Sequence, residues 1–277
     1  MNKYTDIVKK IHNSPFKITF VSSGGGTNAI SSLLEVPGAS NTILESYIPY
    51  SKDSMDKFLN RKPDHYCSLD TCLSMGANAY KKSKEIDTKT KSKYLLGLSI
   101  TANLATTYEK KGDHKFFIVI QANDYTTYLE CFLEKGKRSR NEEEELITAC
   151  AISLLAESCG LEYPLPDQAE NINIEKIIAE KPWKKLFNNK VGFISNNKSN
   201  PELIFPGSFN PLHEGHIKMK ELAERKTGMH TTFEICAKNA DKPPLTYVEI
   251  KRTIDQFQND ESWMLTSAGR FSEKAEM

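Results

Sequence analysis

The sequence predicts an α/β protein with two domains: an N-terminal layered α/β domain and the first half of a doubly wound parallel sheet. Its 277 residues suit two domains. Apolar segments typical of strands alternate with helix-like segments in both halves. Two of these strands, 16–21 and 203–206, lead through a glycine-containing loop into a helix. We therefore place the domains at 1–162 and 201–277, with a connector at 163–200.

The composition excludes several classes of protein. The chain carries 37 basic and 36 acidic residues, and this balance argues against general binding of nucleic acid or anionic membranes. Six cysteines without a CxxC pair indicate reduced thiols. The polar N-terminus lacks a signal-peptide core, and no apolar segment approaches the length of a membrane span. We therefore expect a soluble, cytoplasmic protein with small-molecule partners, and neither nucleic acid nor membrane among them.

The N-terminal half contains apolar patterns for several strands and helices. Asn141 is expected to cap the last helix, because glutamates follow it. His65 and His114 are expected in loops or at the surface, and the lysine-rich segment 81–93 as a solvated connector. The predicted helices are 1–13, the segment through 29–34, 64–82 and the segment from 141, and the predicted strands are 16–21, 94–100, 115–121 and 125–133.

In the C-terminal half, the sequence predicts strands at 203–206, 231–237 and 262–267, with helices at 213–226 and 245–257 between them. Strand, helix, strand, helix, strand is the first half of a doubly wound sheet, whose ligands bind at the carboxyl ends of strands. One or two short helices are predicted at 172–187. The ending 271–277 has the pattern of a helix start.

The loop after the strand at 203–206 is the strongest candidate site. Loop N–H groups and the positive end of a helix dipole favour an anion. His213 and His216 lie three residues apart and share one face of the helix. As a metal pair they lack a nearby Cys or a second acidic ligand to complete the set, so we predict no metal site. The histidines could also be surface residues without function, or belong to an inactive site. The binding positions are Gly207, Ser208, Phe209, Asn210 and Gly215.

Residues 207–216 resemble the signature of the H-x-G-H nucleotidyltransferase superfamily, G-x-F-x-P-x-H-x-G-H. The resemblance implies that a nucleoside triphosphate, ATP or CTP, binds with Mg²⁺ and that a second substrate attacks its α-phosphorus, releasing pyrophosphate. His213 and His216 would donate hydrogen bonds to the phosphates. The family's downstream I-S-S-T-x-x-R signature has no match, so we expect this Rossmann-like domain to be truncated.

Residues 1–160 resemble a second family, the CinA C-terminal family, which includes nicotinamide mononucleotide deamidases. The matching segments are 21–26, 36–40, 47–51, 98–101 and 136–138. The resemblance implies self-association and a second pocket. That pocket would be lined by Ser22, Gly25, Gly26, Tyr50, Thr101 and Arg138.

This sequence departs from the CinA pattern at positions that matter for chemistry. Ser22 aligns with the hydrolytic serine, but Met55 stands where the family has a lysine, and Val21 where it has a glutamate. A serine hydroxyl needs a base or a lowered pKa to act as a nucleophile. We therefore expect the fold without the deamidase reaction. The glycines at 24–26 suit either an anion cradle or a tight turn.

Three functions follow from these patterns. The leading hypothesis is transfer of an adenylyl group from ATP to nicotinamide mononucleotide or a similar phosphorylated metabolite, since both families handle that nucleotide. The alternatives are a non-catalytic nucleotide-binding or interaction protein with a degenerate CinA-like domain, and an active nicotinamide mononucleotide deamidase.

Overall fold

A computed structural model describes residues 2–108, 111–168, 171–197, 201–238, 242–258 and 260–269. The chain divides into two compact units, Met1–Lys176 and Ile177–Met277. Among the described residues, no helix combines the length and the apolar character needed to cross a membrane.

The first unit is built on a six-stranded mixed sheet. Its strands are β1 (Lys17–Ser23), β2 (Ile43–Tyr47), β3 (Leu95–Asn103), β4 (His114–Gln121), β5 (Tyr125–Leu133) and β6 (Ile172–Ile178). Their order is β2-β1-β3-β4-β5-β6. β1 pairs in parallel with β2 and β3, whereas β3, β4 and β5 pair antiparallel. β3 and β4 are buried along almost their whole length, as expected for strands covered on both faces.

Helices cover both faces of this sheet, so the first unit is a layered α/β fold as predicted. The helices are α1 (Thr5–His12), α2 (Thr27–Leu34), α3 (Lys52–Leu59), α4 (Leu69–Ile86) and α5 (Arg140–Ser158). Successive side chains of β1 point to opposite faces. Phe20 therefore packs in the core with α1, α2 and α5, and Val21 packs in a smaller core with α3 and α4.

Three details of the first unit differ from the sequence-based expectations. The N-cap of α5 is Ser139, which forms a capping box with Glu142, so the cap is not Asn141. α4 continues to Ile86, into the segment expected as a solvated connector. The expected helix at 172–187 begins instead as the strand β6, because its apolar residues at 172 and 174 suit a strand as well as a helix.

The segment 163–200, expected as a connector, is divided between the two units. β6 joins the sheet of the first unit. Tyr163, Leu165 and Ile172 pack against the larger core of that unit. Beyond them, α6 (Lys181–Phe187) and β7 (Phe193–Ser195) are elements of the second unit.

The second unit contains a four-stranded sheet. Its remaining elements are β8 (Leu203–Pro206), α7 (Glu214–Thr227), β9 (Thr231–Cys236), α8 (Tyr247–Ile254) and β10 (Trp263–Thr266), and the order is β7-β10-β9-β8. β8, β9 and β10 are parallel, which confirms the predicted half of a doubly wound sheet. β7 runs antiparallel to β10 and was not predicted, since three residues carry no period. The helix start expected at 271–277 lies outside the described residues.

Candidate functional site

A loop at 207–213 connects β8 to α7, as the sequence predicted. Phe209 anchors it: the side chain is 1% exposed, and its ring centroid lies 5.6 Å from that of Phe205 and 5.0 Å from that of Phe233. A Cβ at Gly207 would lie 2.5 Å from Cζ of Phe209, so no larger residue fits beside this ring. Phe209 is therefore an internal anchor of the loop. Ser208 and Asn210 are exposed beside it.

A single amide side chain ties this loop to the residues after α8. Gln256 accepts a hydrogen bond from the backbone N–H of Leu212 at 2.8 Å. It also donates from Nε2 to the carbonyl oxygen of Phe209 at 3.0 Å. The backbone on both sides of the Asn210–Pro211 peptide, which is cis, is thus held by one residue. No sequence pattern pointed to this contribution from Gln256.

The two signature histidines lie together at the start of α7. His213 is the N-cap, and its ring stacks on that of His216 with centroids 3.7 Å apart. Gly215 leaves room for this arrangement, because a Cβ there would lie 3.1 Å from the His213 ring. The backbone N–H of His213 donates to Nδ1 of His216 at 3.3 Å. With Nδ1 accepting, neutral His216 carries its proton on Nε2.

The electrostatics of His216 favour its neutral form. Burial lowers the pKa of the imidazole, and the neighbouring His213 lowers it further. The ring also packs edge-on against Phe209, with centroids 5.1 Å apart. At neutral pH the helix start thus presents a neutral imidazole N–H donor. Within the described ranges, no group of three His, Cys, Asp or Glu side chains could hold a metal ion.

The structure brings together Ser22, Gly25, Gly26 and Thr101 of the second predicted pocket, at the ends of β1 and β3. The hydroxyl groups of Ser22 and Thr101, however, donate to backbone carbonyls. Ser22 is fully buried, and its Oγ donates to the carbonyl oxygen of Gly25. Thr101 is buried, and its Oγ1 donates to the carbonyl oxygen of Tyr66 at 2.9 Å. Tyr50 is 69% exposed after β2. These contacts give Ser22 no general base.

Met55, at the position of the family's lysine, is part of the apolar interior. Its side chain is 1% exposed and belongs to a core cluster with Val21, Leu59 and Met75. An ammonium group at this depth would have to be desolvated. The position therefore serves packing in this chain.

The glycine loop at 24–26 already holds a carboxylate of the same chain. Glu144 accepts hydrogen bonds from the backbone N–H of Gly26 at 2.8 and 2.9 Å and from that of Asn28 at 3.1 Å. These are N–H groups at the start of α2, where an anion is stabilised. The anion cradle considered from the sequence thus exists, and Glu144 occupies it.

One histidine was assigned wrongly from the sequence. His114, expected at the surface, is 7% exposed at the start of β4. Its Nδ1 lies 2.8 Å from Oε1 of Glu143, which is fully buried. His114 lines a cavity that Arg138 of the predicted second pocket also lines. Neither residue of the pair stands out in sequence, since Glu143 lies within an acidic helix start.

The fold is a layered α/β architecture in the first unit and a mainly parallel α/β sheet in the second. No protein-family model matches this sequence. No curated protein matches it either.

Solved structures of competence/damage-inducible proteins are similar in part. The protein CihA from Agrobacterium tumefaciens is 15% identical with a TM-score of 0.46, covering 56% of this chain and 94% of its own. A CinA-superfamily protein from Klebsiella pneumoniae is 11% identical with a TM-score of 0.48, covering 57% and 97%. A competence or damage-inducible protein from Enterobacter asburiae is 12% identical with a TM-score of 0.46, covering 57% and 97%. These similarities concern fold and assign no activity to this chain.

Proposed function

We propose that the second unit transfers a nucleotidyl group, an adenylyl group from ATP, to nicotinamide mononucleotide or a similar phosphorylated metabolite. The observation that carries the proposal is the stacked pair His213 and His216 at the start of α7. The pair follows a parallel strand, and ligands of such sheets bind at the carboxyl ends of strands.

In this proposal the triphosphate lies at the N-terminus of α7, whose N–H groups and dipole favour negative charge. His216 donates from Nε2 to a phosphate oxygen, and its proton position follows from the bond that Nδ1 accepts. An oxygen of the acceptor's phosphate attacks the α-phosphorus, the bond to the leaving phosphate breaks, and pyrophosphate departs. Donors fixed in advance stabilise the charge that develops on the phosphates.

Mg²⁺ would arrive with the triphosphate in this scheme. Mg²⁺ prefers oxygen ligands, and the phosphates supply them, whereas two imidazoles do not. In this scheme the polar groups of residues 207–216 act on the nucleotide as hydrogen-bond donors, whereas Phe209 anchors the loop itself. CTP in place of ATP is the alternative for the donor.

The non-catalytic alternative differs from the proposed transferase because it binds ATP without converting it to products. Bound ATP without release of pyrophosphate would favour a nucleotide-binding protein. The deamidase alternative is weakened by the contacts of Ser22 and by the burial of Met55. It predicts a different product, since nicotinamide mononucleotide would release ammonia without consuming ATP.

The test is an assay of the full chain with ATP, Mg²⁺ and nicotinamide mononucleotide, with the products separated by chromatography. We expect dinucleotide and pyrophosphate, and at least a 100-fold lower rate for His216→Ala, because a transition-state donor is lost. His65→Ala removes an exposed histidine of the first unit and serves as the control. An unchanged rate for His216→Ala would contradict the proposal, as would ammonia as the product.

A further inference from the structure

A cluster of polar side chains lies at the amino ends of the parallel strands in the second unit. His230 directly precedes β9, and Ser262 directly precedes β10. Glu224 lies near the end of α7, the helix that leads back to the start of β9. The signature loop follows the carboxyl end of β8, so this cluster lies at the opposite edge of the same sheet.

The three side chains are arranged as a nucleophile, a base and a carboxylate. Oγ of Ser262 lies 2.8 Å from Nε2 of His230. Nδ1 of the same ring lies 3.4 Å from Oε1 of Glu224. A carboxylate beside Nδ1 favours the tautomer that carries its proton there, so Nε2 is the atom that can take the proton of the hydroxyl. Hydrolytic serines are activated by this arrangement, which is recognised by its geometry and not by the order of residues in the chain.

Backbone contacts hold both ends of the cluster. Oε1 of Glu224 accepts a hydrogen bond from the backbone N–H of Thr231 at 2.8 Å, which fixes the carboxylate beside His230. The carbonyl oxygen of Ser262 accepts from the backbone N–H of Phe233 at 2.9 Å, which fixes the serine against β9. A base must stay within hydrogen-bond reach of the group it deprotonates, and these contacts keep it there.

A hydrogen-bond donor and an approach from solvent complete the arrangement. Nδ2 of Asn197 donates to Oγ of Ser262 at 3.4 Å. An N–H donor beside the attacking oxygen can stabilise the oxyanion of a tetrahedral intermediate. Ser262 is 8% exposed, and the ring of His230 beside it is about half exposed. A small substrate can therefore approach the hydroxyl along this ring.

We propose that Ser262, His230 and Glu224 form a second active site, which hydrolyses small carboxylic esters. Oγ of Ser262 attacks the carbonyl carbon while its proton passes to Nε2 of His230, and the carboxylate stabilises the imidazolium that forms. The ester C–O bond then breaks, the alcohol leaves with that proton, and the acyl group stays on Oγ. Water gives a proton to His230 and attacks the acyl carbon. The acid leaves, and the proton returns to Oγ. This reaction does not depend on nucleotidyl transfer at 207–216.

The first test is labelling of the full chain with an alkyl fluorophosphonate, with the labelled position identified by mass spectrometry of peptides. An activated serine oxygen bonds to phosphorus and displaces fluoride, whereas an ordinary serine does not react. We expect the label on Ser262, and at least about tenfold slower labelling of Glu224→Gln. This variant keeps an oxygen for the N–H of Thr231 but loses the charge. Glu221→Gln removes the same charge from an exposed position on α7 and should be labelled as the wild type is.

The second test is hydrolysis of p-nitrophenyl acetate by the full chain. We expect a burst of p-nitrophenolate before the steady rate, because the acyl group forms on Ser262 before water removes it. Ser262→Ala should lower the rate at least about 100-fold. Ser267→Ala removes a hydroxyl just beyond the other end of β10 and should leave the rate unchanged.

The labelling test needs no variant to give its main result, so a loss of folding in Ser262→Ala would not obscure the outcome. Circular dichroism shows whether each variant keeps the fold of the wild type. Absence of label on Ser262, equal labelling of Glu224→Gln and the wild type, or ester hydrolysis retained by folded Ser262→Ala would overturn the proposal.

Discussion

Gly24 illustrates how closely two strand ends approach in the first unit. Its φ is 79°, in the left-handed region, and a Cβ there would lie 2.0 Å from the carbonyl oxygen of Ala102. Gly160 has a similar φ of 74°, but a Cβ there would meet nothing within 4 Å. The two positions therefore separate the cost of backbone conformation from the cost of a steric clash.

We expect Gly160→Ala to lower the free energy of unfolding by about 1 kcal/mol, the cost of the left-handed conformation. Gly24→Ala should lower it by about 3 kcal/mol or more, since the strand ends must also move apart. Urea unfolding of both variants measures the difference. Equal losses would show that the end of β1 can shift away from β3 at little cost.

Individual residues were predicted unevenly from the sequence. The strand, loop and helix around His213 and His216 were predicted from a local sequence pattern. The structure confirms these elements. His114 and Glu143 lie 29 positions apart and meet only because β4 and α5 pack together. A histidine after Lys111-Gly112-Asp113 resembles a turn residue, and burial, which sequence does not display directly, decides its role.

Among the elements, α5 contributes a carboxylate to the glycine loop that precedes α2. Glu144, half-buried just after the first turn of α5, accepts the N–H groups at the start of α2. Glu145, the next residue, forms an exposed ion pair with Lys3 at 2.6 Å. The two neighbouring glutamates therefore have different roles: Glu144 stabilises the start of α2, whereas Glu145 forms an ion pair at the surface.

Glu144→Ala should lower the free energy of unfolding by about 1–2 kcal/mol, because N–H groups at a helix start lose their acceptor. Glu145→Ala should change it by less than about 1 kcal/mol, as is usual for exposed ion pairs. The matched pair can be compared by thermal and urea unfolding. A larger effect at Glu145 would contradict the assigned roles.

Strands that appear in the sequence as long, continuous apolar segments were predicted well, whereas short or ambiguous elements were not. β3 and β4 follow from continuous apolar segments. β6 was mistaken for a helix because strand pairing with β5 outweighs its local pattern.

At the scale of the whole chain, the first unit extends beyond the predicted boundary at 162. β6 adds the sixth strand, and Glu175 accepts a hydrogen bond from the hydroxyl of Tyr128 at 2.5 Å. Ser153 donates to the carbonyl oxygen of Pro164 at 2.8 Å. The order of strands depends on contacts between distant segments, so sequence patterns alone do not determine it.

A chain ending after residue 178 should therefore retain a cooperative unfolding transition like that of the first unit in the full chain. A chain ending after residue 162 should unfold at lower urea concentration, because it lacks β6 and exposes β5 as an edge strand. Circular dichroism during urea titration compares the two. Identical midpoints would place β6 outside the cooperative unit.

The carboxylate of Glu144 also decides which ligands the glycine loop can accept. It is attached to the same chain, so a free anion competes with a tethered one whose effective concentration is on the order of millimolar or higher. A metabolite at micromolar concentration cannot displace such a competitor by charge alone. The glycine loop at Gly26 is therefore occupied by a competing carboxylate of its own chain.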